Sequence, residues 1–580
     1  TRLGINYTNL KEIKVNPMFE LYDDNGTLRP ESVRSGIRNA HGRTTSMTWE
    51  NMLNWSKKIG KHDFKLTAVF STEQYKYNYF YASIKDLTTN DILSLNAGSA
   101  DMLVGTGSGQ WGQDRTTSLV GMLGRVQYNY AGKYMFSASL RRDGSSRFSS
   151  ANRWGMFPSV SAGWNISEEK FWKKYRKAVN SFKLRASLGT TGNQNFADYS
   201  YAAGIDKNYD YSFGGTGNET LVLGSAQTGY SNANVVWETT QQINAGIDLG
   251  LFSNKFTLGL DFYESNKKNM LFPMVIPPIN GAGSSATVVL NAGNMRNRGV
   301  ELTLGHRNRV GKVNYNVNMT FSKNENKVTE MGGASNMYYF SDGKPVTTGS
   351  SDLVTVIKEG YEAGAFFVMP TDGIINTEQK LVEYQKLKSN ARMGDLIYVD
   401  RNGDGKISDD DRVYGGSGMP ECEVGLNMGA SYNGFDFSMN WYASIGNEII
   451  NGSKIYAYQS HTHKDLIYQW SYVNPTSMIP TYKGSSHDNY RAYADRWVED
   501  GSFVRLKNII LGYSLPKKAI MRIGLNKCRF YLAADNLLTL TKYTGYDPEV
   551  GSNGLSKRGL DLGTYPISVQ TVSYTHLTLP

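Results

Sequence analysis

Val313-Asn-Tyr-Asn-Val-Asn-Met-Thr-Phe-Ser322 is the stretch on which the fold class turns. Val313, Tyr315, Val317, Met319 and Phe321 alternate without a break with Asn314, Asn316, Asn318, Thr320 and Ser322. Successive strand side chains point to opposite faces, so one face here is wholly apolar and the other wholly polar. A helix would scatter this pattern around its axis. One such strand serves a soluble sandwich as well as a membrane barrel, and its neighbours separate the two.

The same period recurs in pairs. Val126, Tyr128 and Tyr130 lead through Ala131-Gly132-Lys133 into Tyr134, Phe136, Ala138 and Leu140. Ile243 to Leu249 return around Ser253-Asn254 as Phe256 to Phe262, and Val424 to Ala430 return through Asn433-Gly434 as Phe435 to Trp441. Asn-Gly is the strongest short hairpin signal, because both residues tolerate positive φ. Long polar connections lie between the hairpins: Thr191 to Val236, Ser265 to Asn294, Lys323 to Glu421, and Gly446 to Glu499. Strict alternation of short and long puts all tight turns at one end of an antiparallel sheet. Outer-membrane barrels have this asymmetry, with short periplasmic turns and long extracellular loops. Compact soluble domains rarely carry structureless connections beyond ~15 residues. The pattern therefore predicts an all-β chain forming a transmembrane antiparallel β-barrel, with Val313, Tyr315, Val317 and Met319 facing lipid and Asn314, Asn316 and Asn318 facing the lumen. Glu168 to Asn180, with Phe171, Trp172 and Tyr175, is predicted as a short amphipathic helix capping the periplasmic end.

Size and composition agree. A chain of 580 residues exceeds what one soluble core usually organises. Mean hydropathy is −0.44, and no stretch approaches the ~20 consecutive apolar residues of a membrane-spanning helix. Barrel strands average to polar because lipid-facing and lumen-facing residues alternate. The net charge of +10 is dispersed. Its densest cluster, Lys170, Lys173, Lys174, Arg176 and Lys177, is too short for the continuous basic face that nucleic acid requires. Cys422 and Cys528 are too few for a disulfide framework.

Several segments resemble the SusC/RagA family of TonB-dependent outer-membrane transporters. Ser139-Leu-Arg-Arg-Asp-Gly-Ser-Ser-Arg-Phe148 is followed by Trp154-Gly-Met-Phe-Pro-Ser-Val-Ser-Ala-Gly-Trp164 and Ile166-Ser-Glu-Glu169, in the family's order. Leu188 to Asn193, Asn291 to Glu301, Gly394-Asp395 and Asp400 to Ser408 continue the series. Asp500 to Asn508, Leu511 to Pro516, Asp535 to Leu538 and Tyr543 to Glu549 complete it. The resemblance implies a barrel of about 22 strands, of which about 15 are legible here. It also implies a plug and a TonB-contacting segment outside this chain. Residues 1–568 are thus expected to be the C-terminal part of the barrel. Val569 to Pro580 matches no family strand and is set apart as a truncation or assembly artefact.

The sharpest local motif is Asp400-x-Asn402-x-Asp404-Gly405-Lys406-x-Ser408-x-x-Asp411. It has the ligand spacing of an EF-hand loop, with Gly at position 6 for the turn. Asp400, Asn402, Asp404 and Asp411 would offer side-chain oxygens to calcium, Lys406 its carbonyl, and Ser408 a ligand directly or through water. Asp at position 12 has a shorter arm than the usual Glu. The competing reading is a Gly/Asp-rich turn without metal. His461-x-His463 is a weaker metal pair. Tyr75, Tyr77, Tyr79 and Tyr81 share one strand face and suit either sugar stacking at the extracellular mouth or an aromatic girdle at the membrane interface. No nucleophile elbow, P-loop or zincin motif occurs, so the chain is not expected to be an enzyme.

By resemblance, the intact protein sits in the outer membrane of a Gram-negative, Bacteroidetes-like cell, surrounded by outer-membrane lipid. There it would import a bulky nutrient, glycan or peptide, with a SusD-like surface lipoprotein and the TonB complex as partners. A passive porin-like channel and a soluble all-β carbohydrate-binding module are the alternatives.

Overall fold

The computed structural model describes residues 1–29, 35–98, 109–202, 204–207, 209–214, 217, 219–227, 230–275, 287–332, 337–340, 342–348, 352–521, 524–551 and 554–578. Sixteen strands form one sheet in which each strand pairs antiparallel with its neighbours in sequence. They are β1 (Arg2–Asn16), β2 (Gly36–Ile59), β3 (His62–Lys85), β4 (Gly109–Tyr130), β5 (Tyr134–Ser145), β6 (Trp154–Asn165), β7 (Val179–Asn193) and β8 (Glu238–Leu251). The series continues with β9 (Phe256–Lys268), β10 (Asn294–Val310), β11 (Val313–Glu330), β12 (Cys422–Tyr432), β13 (Phe435–Ile445), β14 (Phe503–Ser514), β15 (Lys527–Thr541) and β16 (Gln570–Thr578). This sheet is the wall of a transmembrane β-barrel. The alternation predicts about 15 strands; β16 lies within Val569 to Pro580, the stretch set apart as unmatched. It pairs with β15 from Asp535↔Gln570 to Lys527↔Thr578, while Leu579 and Pro580 lie outside the described residues.

Register carries the alternation of one strand across the sheet. Met319 on β11 lies opposite Leu304 on β10 and Leu426 on β12, and Leu426 lies opposite Trp441 on β13. One residue earlier, Asn318 lies opposite Gly305 and Asn427, and Asn427 opposite Asn440. Paired residues share a face, so an apolar row and a polar row run side by side around the wall. Phe136, Leu140, Ile243, Phe262, Leu511 and Leu532 are all exposed on the apolar side. Lipid is the solvent that accommodates them.

Tight turns and long connections alternate through most of the sheet, although 166–178 and 515–526 at the tight-turn end are longer than 146–153 at the other. Asn433 (φ 46°) and Gly434 (φ 89°) both adopt positive φ, the geometry that matches strand twist in a two-residue hairpin. The helix expected over Glu168–Asn180 is absent. Two 3₁₀ turns, Ile166–Glu168 and Lys170–Lys174, replace it. Tertiary anchors win over helical periodicity here. The Trp172 indole donates to the Val179 carbonyl at 3.0 Å, Arg176 donates to the Ser167 carbonyl at 2.8 Å, and Glu169 accepts from Lys133 at 2.7 Å.

The long connections are not structureless. The described residues of segments 331–421, 446–502 and 542–569 pack together around a shared core that includes Phe366, Ile374, Tyr398, Ile455, Tyr490, Trp497 and Leu560. Single parallel bridges, Met369↔Ala494 and Ile450↔Leu560, stitch the three segments. The buried Asp352 carboxylate accepts from Arg491 Nε at 2.9 Å and from the Ala492 amide at 2.9 Å. A folded extracellular module therefore tops the wall. Its apolar residues follow no single period, which is why they read as loop in the sequence.

Candidate functional site

The polar face of the wall is lined by paired charges. Arg185 on β7 donates to Asp248 on β8 at 2.8 and 3.0 Å and to Asp261 on β9 at 3.1 and 3.0 Å. One guanidinium thus clamps three strands through bidentate contacts. Such a surface suits a hydrated lumen.

Tyr75, Tyr77, Tyr79 and Tyr81 lie on this polar face, the face of Asp63, Lys65 and Glu73 on the same strand. The opposite face of β3 carries Phe64, Leu66 and Phe70, then Gln74, Lys76 and Asn78. The switch to polar residues marks where the strand leaves the bilayer. The tyrosines therefore face the lumen at the extracellular mouth, and the interface-girdle reading is set aside. Tyr77 and Tyr79 have nearly parallel rings with centroids 6.1 Å apart. Arg115 lies 4.9 Å over Tyr77, and Arg38 lies 4.0 Å over Tyr81 while donating to the Tyr79 hydroxyl at 2.7 Å.

The Asp-rich loop is folded as consecutive side-chain-to-amide turns. Asp400 accepts from the Gly403 and Gly405 amides at 2.7 and 2.9 Å. Asn402 accepts from Asp404 at 2.9 Å, and Asp404 from Lys406 at 2.8 Å. Gly405 sits at φ 79°, the left-handed turn the motif requires. Asp411 is fully buried and accepts from the Arg401, Asn402 and Ser408 amides at 2.8, 3.2 and 2.8 Å. Burial pushes its carboxyl up, and the three amides outweigh that and hold it below the ordinary aspartate value. Asp411 also completes a capping box with Ser408. In this conformation no three His, Cys, Asp or Glu side chains converge among the described residues.

His461 and His463 do not form a pair. His461 stacks on Tyr482 with centroids 4.2 Å apart, and His463 stacks on Tyr458 at 4.4 Å while accepting from the Asp465 amide. Burial lowers the His463 pKa, with Asp465 opposing the shift. Cys422 and Cys528 are both unbridged.

One surface escaped the sequence reading. Ile467, Tyr468, Tyr472, Val473 and Met478 are 76%, 62%, 79%, 95% and 65% exposed on the extracellular module. Trp470 anchors this segment in the core, and Asn474 and Ser477 donate to the Tyr468 carbonyl, folding it back on itself. The density of large apolar residues within a supposedly polar connection was the available signal.

The family described as TonB dependent receptor-like, beta-barrel matches residues 1–537. TonB-dependent receptor P3 of Formosa agariphila is 30% identical over 534 residues, covering 90% of this chain and 51% of that protein. TonB-dependent receptor SusC of Bacteroides thetaiotaomicron is 30% identical over 533 residues, covering 85% of this chain and 49% of that protein. The chain thus spans about half the length of these relatives. The solved RagAB peptide transporter superposes with a TM-score of 0.78 at 24% identity, covering 99% of this chain and 59% of that one, a likeness of fold.

Proposed function

This chain belongs to the TonB-dependent receptor-like β-barrel family of the outer membrane, and from that premise we propose that the intact protein actively imports a bulky nutrient, glycan or peptide. TonB acting on a plug supplies the work, and a SusD-like surface lipoprotein shares substrate capture. A barrel of about 22 strands has a lumen too wide to select by size, so a plug must close it. The outer membrane holds no nucleotide pool, so opening draws on energy from elsewhere.

The observation that carries this reading is the extracellular module with its bare apolar segment, Ile467 to Met478. Exposed apolar side chains grouped in this way mark interaction surfaces. They lie in the connection between β13 and β14, off the lipid-facing strands. A lid protein seated on the module fits both the place and the chemistry. A simple pore needs no such surface.

Co-purification from native membranes should recover a lipoprotein with the wild-type protein. Tyr472→Asp combined with Val473→Asp should lose it while the barrel still assembles. Uptake by the wild type should stop in cells lacking TonB. A barrel recovered without a lipoprotein, together with uptake indifferent to TonB, would favour the passive channel.

We further propose that Asp400, Asn402, Asp404, the Lys406 carbonyl, Ser408 and Asp411 hold a calcium ion that stiffens the module. All are hard oxygen donors, as calcium prefers. An ionised carboxylate has about four acceptor sites, so Asp411, with three amides bound, retains one for the cation. Asp404→Ala should raise proteolysis between residues 400 and 411 several-fold with the barrel intact. A chelator should do the same to the wild type. Digestion that ignores the chelator would count against a bound ion.

A further inference from the structure

We propose that Tyr75, Tyr77, Tyr79 and Tyr81, together with the cavity at the foot of their row, form a subsite for a neutral saccharide at the extracellular mouth. This rests on the importer reading above and names the substrate class for it. The cavity has a volume of 270 Å³ and is lined by Tyr75, Glu73, Arg115, Arg147, Gln194 and Asp198. Tyr75 is therefore shared between the row and the cavity.

The row presents aromatic surface to the lumen, with Arg115 over one face of Tyr77 and Arg38 over one face of Tyr81. The cross-strand partners of Tyr81, Tyr79, Tyr77 and Tyr75 on β2 are Ala40, Gly42, Thr44 and Ser46, all small. A methyl added at Gly42 would sit 3.3 Å from Cδ2 of Tyr79, so that ring already lies over the β2 backbone. Aromatic rings supply a large, stiff contact area with an electron-rich face. The C–H face of a pyranose is the complementary surface; Tyr77 and Tyr79 are nearly parallel 6.1 Å apart, and Tyr81 follows at 6.5 Å, tilted 58° to Tyr79.

The cavity supplies the polar half. Arg147 pairs with Asp198 at 2.9 Å and donates to the Gln194 and Phe196 carbonyls at 3.0 Å each. The Tyr199 hydroxyl donates to the Thr116 carbonyl at 3.1 Å, pinning the same segment to β4. This cavity is thus held in shape from two sides. Within it the buried Nε of Arg115 and Oε1 of Gln194 have no hydrogen-bond partner. A stranded donor and a stranded acceptor in one cavity call for a group that does both. A sugar hydroxyl does both. Glu73 and Asp198 stand beside Arg115 and Arg147, so neither an anion nor a cation finds a field of one sign.

A peptide fits less well. One recurring mode of peptide capture adds a strand to a free sheet edge. At the tyrosine row β3 is paired on both sides, with β2 and β4, and offers side chains alone.

The test uses the full-length protein purified from its own membranes, titrated with neutral hexasaccharides of glucose, mannose, xylose and galactose, and with a decapeptide pool. At least one hexasaccharide should bind, Tyr77→Ala and Tyr79→Ala should each weaken it about tenfold, and Tyr77→Phe should retain it. Heat-shifted electrophoresis checks that every variant still forms a barrel. No hexasaccharide binding, unchanged affinity in both alanine variants, or binding of peptides alone each overturns the subsite. TonB-dependent uptake is measured in parallel. Uptake that needs TonB while the alanine variants bind normally removes the subsite and leaves the importer. Wild-type uptake indifferent to TonB removes the importer itself.

Discussion

Lysine in place of Met319 is expected to destabilise the barrel by about 2–4 kcal/mol, while lysine in place of Asn318 changes stability little. The two positions are adjacent, so propensity and local sequence are nearly the same. What differs is the solvent each one meets. Met319 lies in the apolar row with Leu304 and Leu426, four residues below Lys323, the first charge on that face. A lysine there must leave its ammonium in hydrocarbon or bend it to the interface. Asn318 lies among Gly305 and Asn427 in the polar row, where water receives the new charge. Equilibrium unfolding from lipid bilayers measures the difference. Cysteines at the same two positions should label from the lipid and aqueous phases respectively. Equal costs for the two lysines, or equal aqueous labelling, would refute the lipid-facing assignment.

Arg505→Met should cost about 3 kcal/mol in the docking of segment 542–569, because it removes the buried cation from a cluster whose carboxylates, Asp547 and Glu549, are 16% and 39% exposed. The Arg505 side chain is completely buried. Its guanidinium donates to the Thr539 hydroxyl at 2.9 Å, to Glu549 at 2.7 Å and to Asp547 at 2.6 Å. Those carboxylates belong to the third segment of the extracellular module, so one arginine on β14 ties module to wall. Methionine fills the space and leaves Asp547 without this cation, while Lys507 still reaches Glu549. Arg505→Lys keeps a charge but not the planar fork, and should recover only part of the loss. Hydrogen exchange should rise across 542–569 and stay unchanged in β2 and β3. Protection that is identical in wild type and Arg505→Met would show that the cluster does not hold the segment.

The wall was legible residue by residue. Asn433-Gly434 closes its hairpin with the two positive φ angles its composition demands, and Val313 to Ser322 alternates in β11 as written. Gln570 to Thr578 matches no family strand, and pairing along β15 is what defines it as β16. Among site residues, Asp400 to Asp411 folded locally into the expected tight loop, since its amides and carboxylates lie within the same dozen residues. His461 and His463 were drawn apart by stacking on different rings, His463 on nearby Tyr458 and His461 on Tyr482, farther along the chain.

Sequence alone determined what repeats at short range: the period-2 strands, the tight turns, and hence a barrel wall with one lipid face and one wet face. Strand geometry forces that outcome, because side-chain direction follows position parity and nothing distant can alter it. Tertiary structure alone decided what depends on contacts far apart in the chain. It gathered Phe366, Ile455 and Leu560 from three connections into one core. It also closed a cavity between Arg115 on β4 and Gln194 beyond the end of β7. Aperiodic apolar residues carry no address, and they find partners only when the chain has already brought them together.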